Sequence, residues 1–186
     1  MEKSKKLFSG YAIEMYFDNV STRMIKDVWK NIGSVLSQHD VRPHISLGGF
    51  SETDKDKVIK CVKKFCKSTE PFTLQFSSIG SFQTREGVLF IAPVMTKELM
   101  ENHILFYKIL KEFGVIVRGL YLPDRWVPHC TMDMYFEEKD ISSKFSLLRS
   151  ENIPDEIRIE EVGIVKYFPP EKIVTYRMKN LITGDE

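Results

Sequence analysis

Two short stretches decide the reading of this chain: Pro43-His44-Ile45-Ser46-Leu47 and Pro128-His129-Cys130-Thr131-Met132, each of the form Pro-His-apolar-hydroxyl-apolar. Proline fixes its own φ and biases Arg42 before it towards extended backbone, which prepares a strand rather than a helix. In a strand, side chains two apart share a face, so His44 pairs with Ser46 and His129 with Thr131, while the apolar partners face the other way. Each tetrad thus presents one imidazole and one hydroxyl together. One copy of so short a pattern arises by chance in many chains; the repetition is what carries information.

Working outward, each tetrad sits in a similar order of elements. Tyr11 to Phe17 reads as a strand, and Met24, Ile25, Val28, Trp29, Ile32, Val35 and Leu36 recur at helical spacing, with the Ser21/Thr22 pair as the expected cap. The tetrad strand runs to about Phe50. Ser51 to Asp54 begin a helix whose apolar face is Val58, Ile59, Val62, Phe65 and Cys66, with lysines facing solvent. Phe72 to Phe76 alternates as a half-buried strand, paired with Val88 to Ala92 across a turn near Arg85-Glu86-Gly87. Leu99, Ile104, Leu105, Tyr107, Ile109, Leu110 and Phe113 predict a second long helix, capped by Gly114. Val115 to Val117 reads as a short strand. Pro123 to Pro128 lead into the second tetrad, whose strand extends to Tyr135-Phe136. A weaker helix covers Lys139 to Leu148, and Ile157 to Val165 and Ile173 to Met178 read as two paired strands joined through Pro169-Pro170. Gly80 and Gly163 occupy equivalent places after the two tetrads. The expectation is an α+β fold of two pseudo-symmetric lobes of antiparallel sheet with outer helices, forming a central cleft, in a single bilobal domain over residues 1–186 with tetrads at 44–47 and 129–132.

The composition bounds the function. The chain has 186 residues, 42% of them hydrophobic, enough for one compact domain. Lys and Arg total 27 against 26 Asp and Glu, so no global field draws the chain to long duplex nucleic acid, and an anionic substrate is expected to be small and locally held. No stretch approaches the roughly 20 apolar residues of a membrane span, and the basic opening to Leu7, read as a loose terminus, has no apolar signal core. The odd count of three cysteines suits reduced thiols, so a soluble cytoplasmic protein is expected. Cys130 is placed on the core-facing side of its strand by alternation. His39 and His103 lack the tetrad context and read as surface residues.

The paired motifs His44-Ile45-Ser46-Leu47 and His129-Cys130-Thr131-Met132 resemble those of the 2H phosphoesterase superfamily, which includes RNA 2′,3′-cyclic phosphodiesterases also called 2′-5′ RNA ligases. The similarity runs from about Gly10 to Asn180. It implies metal-independent cleavage of a phosphodiester, with His44 and His129 as catalytic residues and Ser46 and Thr131 binding phosphate oxygens. It also implies no cofactor and no metal, and RNA 3′ ends or small nucleotides as partners; a monomer is expected, with no extensive duplex nucleic acid and no membrane as partner, though the sequence alone does not give the oligomeric state.

The residue chemistry agrees. Hydrolysis of a cyclic phosphodiester needs a base for water and an acid for the departing alkoxide on the opposite side of phosphorus. Two imidazoles, with an unperturbed pKa of about 6.5, can be one neutral and one cationic near neutral pH. Two hydroxyls can donate to the non-bridging oxygens. A near-symmetric repeat does not say which histidine is acid and which is base. Further candidate substrate contacts are Phe50 and Tyr135, at equivalent strand positions where aromatics could stack on a base or else pack in the core, and Arg42 and Arg125, ahead of the tetrads, as phosphate clamps or else solvated loop residues. Two other readings stay open: a non-catalytic module that binds nucleotides or RNA ends in the same cleft, and a metallohydrolase using both histidines, which would need a third ligand that no spacing supplies.

Overall fold

The computed structural model describes residues 10–50, 55–82, 87–167 and 171–179. The predicted helix start at Ser51 to Asp54, the turn at Arg85-Glu86, the Pro169-Pro170 connection, the opening to Leu7 and Asn180 lie outside them. Within them the fold is mixed α+β. Strand β1 (Gly10–Phe17) leads to helix α1 (Asn19–Asn31), then β2 (His44–Phe50), α2 (Lys55–Ser68), β3 (Phe72–Ser81), β4 (Val88–Pro93), α3 (Lys97–Glu112), β5 (Cys130–Met134), α4 (Ile141–Arg149), β6 (Glu156–Tyr167) and β7 (Glu171–Arg177).

All described strand pairings are antiparallel, in the order β2-β1-β6-β3-β4-β5, with β7 on β6. Strand β3 joins the two ends of the sheet: Phe72 to Gln75 pair with β6, and from Phe76 onward it pairs with β4. The repeat is therefore interleaved. The first tetrad's strand β2 lies with β1 and, beyond it, β6 from the C-terminal half, whereas the second tetrad's strand β5 lies with β3 and β4 from the first half. The register makes the match residue by residue: Glu14 sits between Ser46 and Gly163, and Phe90 sits between Thr131 and Gly80. Both glycines are required for space. A Cβ on Gly163 would overlap the Tyr16 ring, and one on Gly80 would overlap the Phe90 ring.

Each tetrad strand carries a one-residue register shift at the same place. Leu47 is the extra residue between the pairs Ser46–Glu14 and Gly48–Ile13, and Met132 is the extra residue between Thr131–Phe90 and Asp133–Leu89. Such a bulge reverses which face the following residues take. It places Phe50 in the core, stacked on Tyr11 at 5.5 Å between ring centroids. It likewise turns Asp133 inward, where it binds Lys144 of α4 at 2.5 Å and the Val35 backbone amide at 3.1 Å.

Several local expectations are corrected. Helix α1 starts earlier than the Ser21/Thr22 pair, because the Asp18 carboxylate accepts from the Val20 and Ser21 amides and serves as the N-cap. Val115 to Val117 form no strand, with Val115 buried against the core and Ile116 exposed. Strand β5 stops at Met134, because Tyr135 adopts φ 64°, a left-handed conformation that ends the ladder, and its amide donates to Gly87. On α3 the buried face is Leu99, His103, Phe106, Ile109 and Leu110, so Leu105 faces solvent and His103 is core rather than surface.

His103 is only 1% exposed and stacks flat on Trp126 with 3.9 Å between centroids. Burial pushes its pKa down to about 4, against which hydrogen bonds to the Leu47 and Tyr121 backbone act weakly. The folded state thus holds His103 in its neutral form where the unfolded chain is protonated. Stability is expected to fall by about 3 kcal/mol as pH drops from 6.5 to 4 on this residue's account. Urea midpoints across that range check it, and the dependence should flatten in His103→Gln.

Candidate functional site

The strands bring the two tetrads together. The His44 backbone amide lies against the Cys130 sulfur, and His44 and His129 are close enough for the charge of one to act on the other. Cys130 is wholly buried and its thiol is pushed up to about 12, which makes it an inert packing group as alternation predicts.

Reciprocal tryptophan contacts tie the tetrads. Trp126, just ahead of the second, donates from Nε1 to the Ser46 carbonyl of the first at 2.9 Å. Trp29, on the helix ahead of the first, donates to the Thr131 carbonyl of the second at 3.1 Å. Both indoles are buried. Each holds the backbone beneath the other motif's hydroxyl. In the sequence Trp29 is legible only as part of an apolar helix face and Trp126 has no legible role, since the two indoles stand at unequal distances from their tetrads.

The imidazoles are oriented alike. His44 Nδ1 lies 2.8 Å from the Arg42 carbonyl and His129 Nδ1 lies 2.7 Å from the Val127 carbonyl, each two residues back. A carbonyl only accepts, so each Nδ1 carries the hydrogen and each Nε2 is left for chemistry. Beside them, neither Ser46 Oγ nor Thr131 Oγ1 has a hydrogen-bond partner among the described residues, so both hydroxyls can donate outward.

The surroundings of the rings differ. His129 packs against Phe82 at 4.8 Å and Phe90 at 5.3 Å between centroids, and this burial lowers its pKa below the ordinary imidazole value, with His44 adding to the effect and the Val127 bond opposing it. His44 lies edge-on to Tyr16, and its Nε2 is 3.4 Å from Glu14 Oε1. The Tyr16 hydroxyl donates to Glu14 Oε2 at 2.8 Å, and burial with the neighbouring carboxylate raises the phenol's pKa, keeping it a neutral donor. Phe82, Phe90 and Glu14 were not read from the sequence. Glu14 did leave a signal, as a charged residue in the middle of an apolar strand.

Of the other candidates, Arg42 stays beside the first tetrad and the rest lie away from the imidazoles. Arg42 forms a 2.8 Å pair with Glu161, and its guanidinium lies 4.0 Å from the centre of the Tyr16 ring. Arg125 is exposed in the turn before Trp126. Phe50 is in the core, and Tyr135 is exposed beyond the far end of β5 from His129. Among the described residues no three His, Cys, Asp or Glu side chains gather as a metal-binding group, and no helix is long and apolar enough to cross a membrane.

Known proteins share this fold. A family model described as the 2′-5′ RNA ligase superfamily matches residues 23–168. A search of curated protein sequences returns no match. Among solved structures, the fold is similar to that of TT0787 from Thermus thermophilus, at TM-score 0.57 and 11% identity over 91% of this chain and 97% of that one. It is also similar to E. coli LigT complexed with 3′-AMP, at TM-score 0.55 and 13% identity over 92% and 99% of the two chains. A structure described as a phosphoesterase gives TM-score 0.56, again at 13% identity with 92% and 99% covered.

Proposed function

From the premise that the chain belongs to the 2′-5′ RNA ligase superfamily, we propose that it is a metal-independent phosphodiesterase acting on 2′,3′-cyclic phosphate or 2′-5′-linked RNA or nucleotide substrates. The two interleaved strand groups form lobes in one bilobal domain, and the tetrads face a cleft between them. One observation supports this above the rest: two equivalent histidines, each with Nδ1 fixed on the carbonyl two residues back, lie together with an unpartnered hydroxyl beside each.

One Nε2 takes a proton from water as it attacks phosphorus, and the other gives a proton to the ribose oxygen as its bond to phosphorus breaks. Ser46 and Thr131 donate to the non-bridging oxygens and hold the phosphorus in line. The nucleotide preference follows by analogy from LigT, which binds 3′-AMP.

The test is a product assay with 2′,3′-cyclic mononucleotides and 2′-5′-linked dinucleotides in excess chelator. Turnover to phosphomonoester or mononucleotides is expected. Tight mononucleotide binding without product would instead favour the binding module, and activity lost to chelator would favour a metal-dependent site. Because burial holds the His129 pKa below the usual imidazole value, the limb of the kcat/KM profile that His129 sets should lie below about pH 6.5.

A further inference from the structure

The two tetrads are nearly symmetric, but the residue paired across the ladder from each hydroxyl is not. Opposite Ser46 stands Glu14, and opposite Thr131 stands Phe90. We propose that this departure from symmetry fixes the direction of catalysis: Glu14 is a positioning residue that keeps His44 as the general acid, and Phe90 leaves His129 as the general base. The inference rests on the phosphodiesterase reading above and sets the roles within it.

At His44 the count of hydrogens decides the role. Its Nδ1 hydrogen is committed to the Arg42 carbonyl. A second hydrogen, on Nε2, is needed before the ring can satisfy the Glu14 oxygen 3.4 Å away; without it, two acceptors face each other. The carboxylate is 6% exposed and fixed from its other side by the Tyr16 hydroxyl. At 3.4 Å the pair is longer than a formed hydrogen bond, so a hydrogen on Nε2 remains deliverable. Of the other charged groups around the first tetrad, Arg42 binds Glu161 from β6 at 2.8 Å and Arg177 from β7 reaches the same carboxylate at 3.5 Å, so two guanidinium groups share one carboxylate.

The equivalent place beside His129 offers no carboxylate. Phe90 and Phe82 cover the ring, the Val127 carbonyl holds Nδ1, and among the described residues His44 is the titratable group that bears on it. A ring in that setting is most stable neutral, with its Nε2 lone pair free to accept. In the forward step, water loses a proton to His129 Nε2 as its oxygen bonds to phosphorus. The phosphorus–ribose oxygen bond breaks and that oxygen takes the proton from His44 Nε2. The product is a phosphomonoester, with His129 cationic and His44 neutral, and exchange with solvent resets both.

The experiment measures kcat/KM against pH on a 2′,3′-cyclic mononucleotide for the native chain, Glu14→Gln and Glu14→Asp. Removing the anion should move the basic limb of the Glu14→Gln profile down by about 1 pH unit and leave the acidic limb in place. Glu14→Asp, which keeps the charge, should restore most of the native basic limb. A purely structural role for Glu14 would lower the plateau in Glu14→Gln without moving a limb, and that outcome, or movement of the acidic limb, overturns the assignment while the two-histidine reading stands. No turnover by the native chain overturns both.

Discussion

His129→Ala is expected to lower kcat on a 2′,3′-cyclic nucleotide by about 10³-fold, and His44→Ala by a similar factor, because each ring supplies one of the two proton transfers and no neighbour can replace it. Cys130 is the nearest other titratable group in sequence to His129, but its thiol is sealed in the core and pushed up to about 12. Glu14 touches His44 but is bound to the Tyr16 hydroxyl. A loss of about 10³-fold corresponds to about 4 kcal/mol of transition-state stabilisation. The double variant should lie within about tenfold of either single one, since an acid without its base accelerates little. Ser46→Ala and Thr131→Ala should cost less, about 10- to 100-fold each, as each removes one hydrogen bond to a charged oxygen. Steady-state turnover in chelator, beside a thermal midpoint showing the variants folded, decides the matter. Native-like turnover by the double variant would sink the two-histidine mechanism.

What could be read from the sequence was whatever repeats. The tetrads, the helix ahead of each and the strands that follow share order and spacing, so the element order and the pairing of tetrad hydroxyl with histidine were legible. Strict alternation gave the strand faces only as far as Ser46 and Thr131. Beyond them, Leu47 and Met132 are bulged, and parity reverses, which is why Phe50 is packed on Tyr11 and Asp133 is tied to Lys144 and the Val35 amide. No local pattern marks those bulges, because an apolar residue fits the ladder and the bulge equally well. The interleaving is not legible: Gly80 and Gly163 follow their tetrads at similar spacing, but each serves the tetrad of the other half, and only the sheet order shows it. His103 reads as a surface residue because a histidine counts as polar in a helical pattern, whereas its flat stack on Trp126 uses it as an aromatic ring.

The largest effect away from the imidazoles is expected at Trp126. Its indole is buried between α3 and the first tetrad, stacked on His103, with Nε1 bound to the Ser46 carbonyl at 2.9 Å. Trp126→Ala removes that packing and should cost about 3–5 kcal/mol, read as a fall in the urea midpoint. Trp126→Phe keeps most of the ring and deletes the donor, leaving a buried carbonyl short of its partner, a loss of about 1–3 kcal/mol. The two variants separate packing from positioning. If the indole only fills space, Trp126→Phe should have native kcat. If its N–H sets the backbone under Ser46, kcat should fall by about tenfold even where the protein is fully folded, and Ser46→Ala should add little on top, since both changes act through one hydroxyl. Trp29→Phe makes the mirror case at the Thr131 carbonyl, and there the non-additive partner should be Thr131 rather than Ser46. That crossed pattern, with an indole beside one motif coupled to the hydroxyl of the other, is what interleaved halves require. Coupling of each tryptophan to the hydroxyl of its own motif would contradict it.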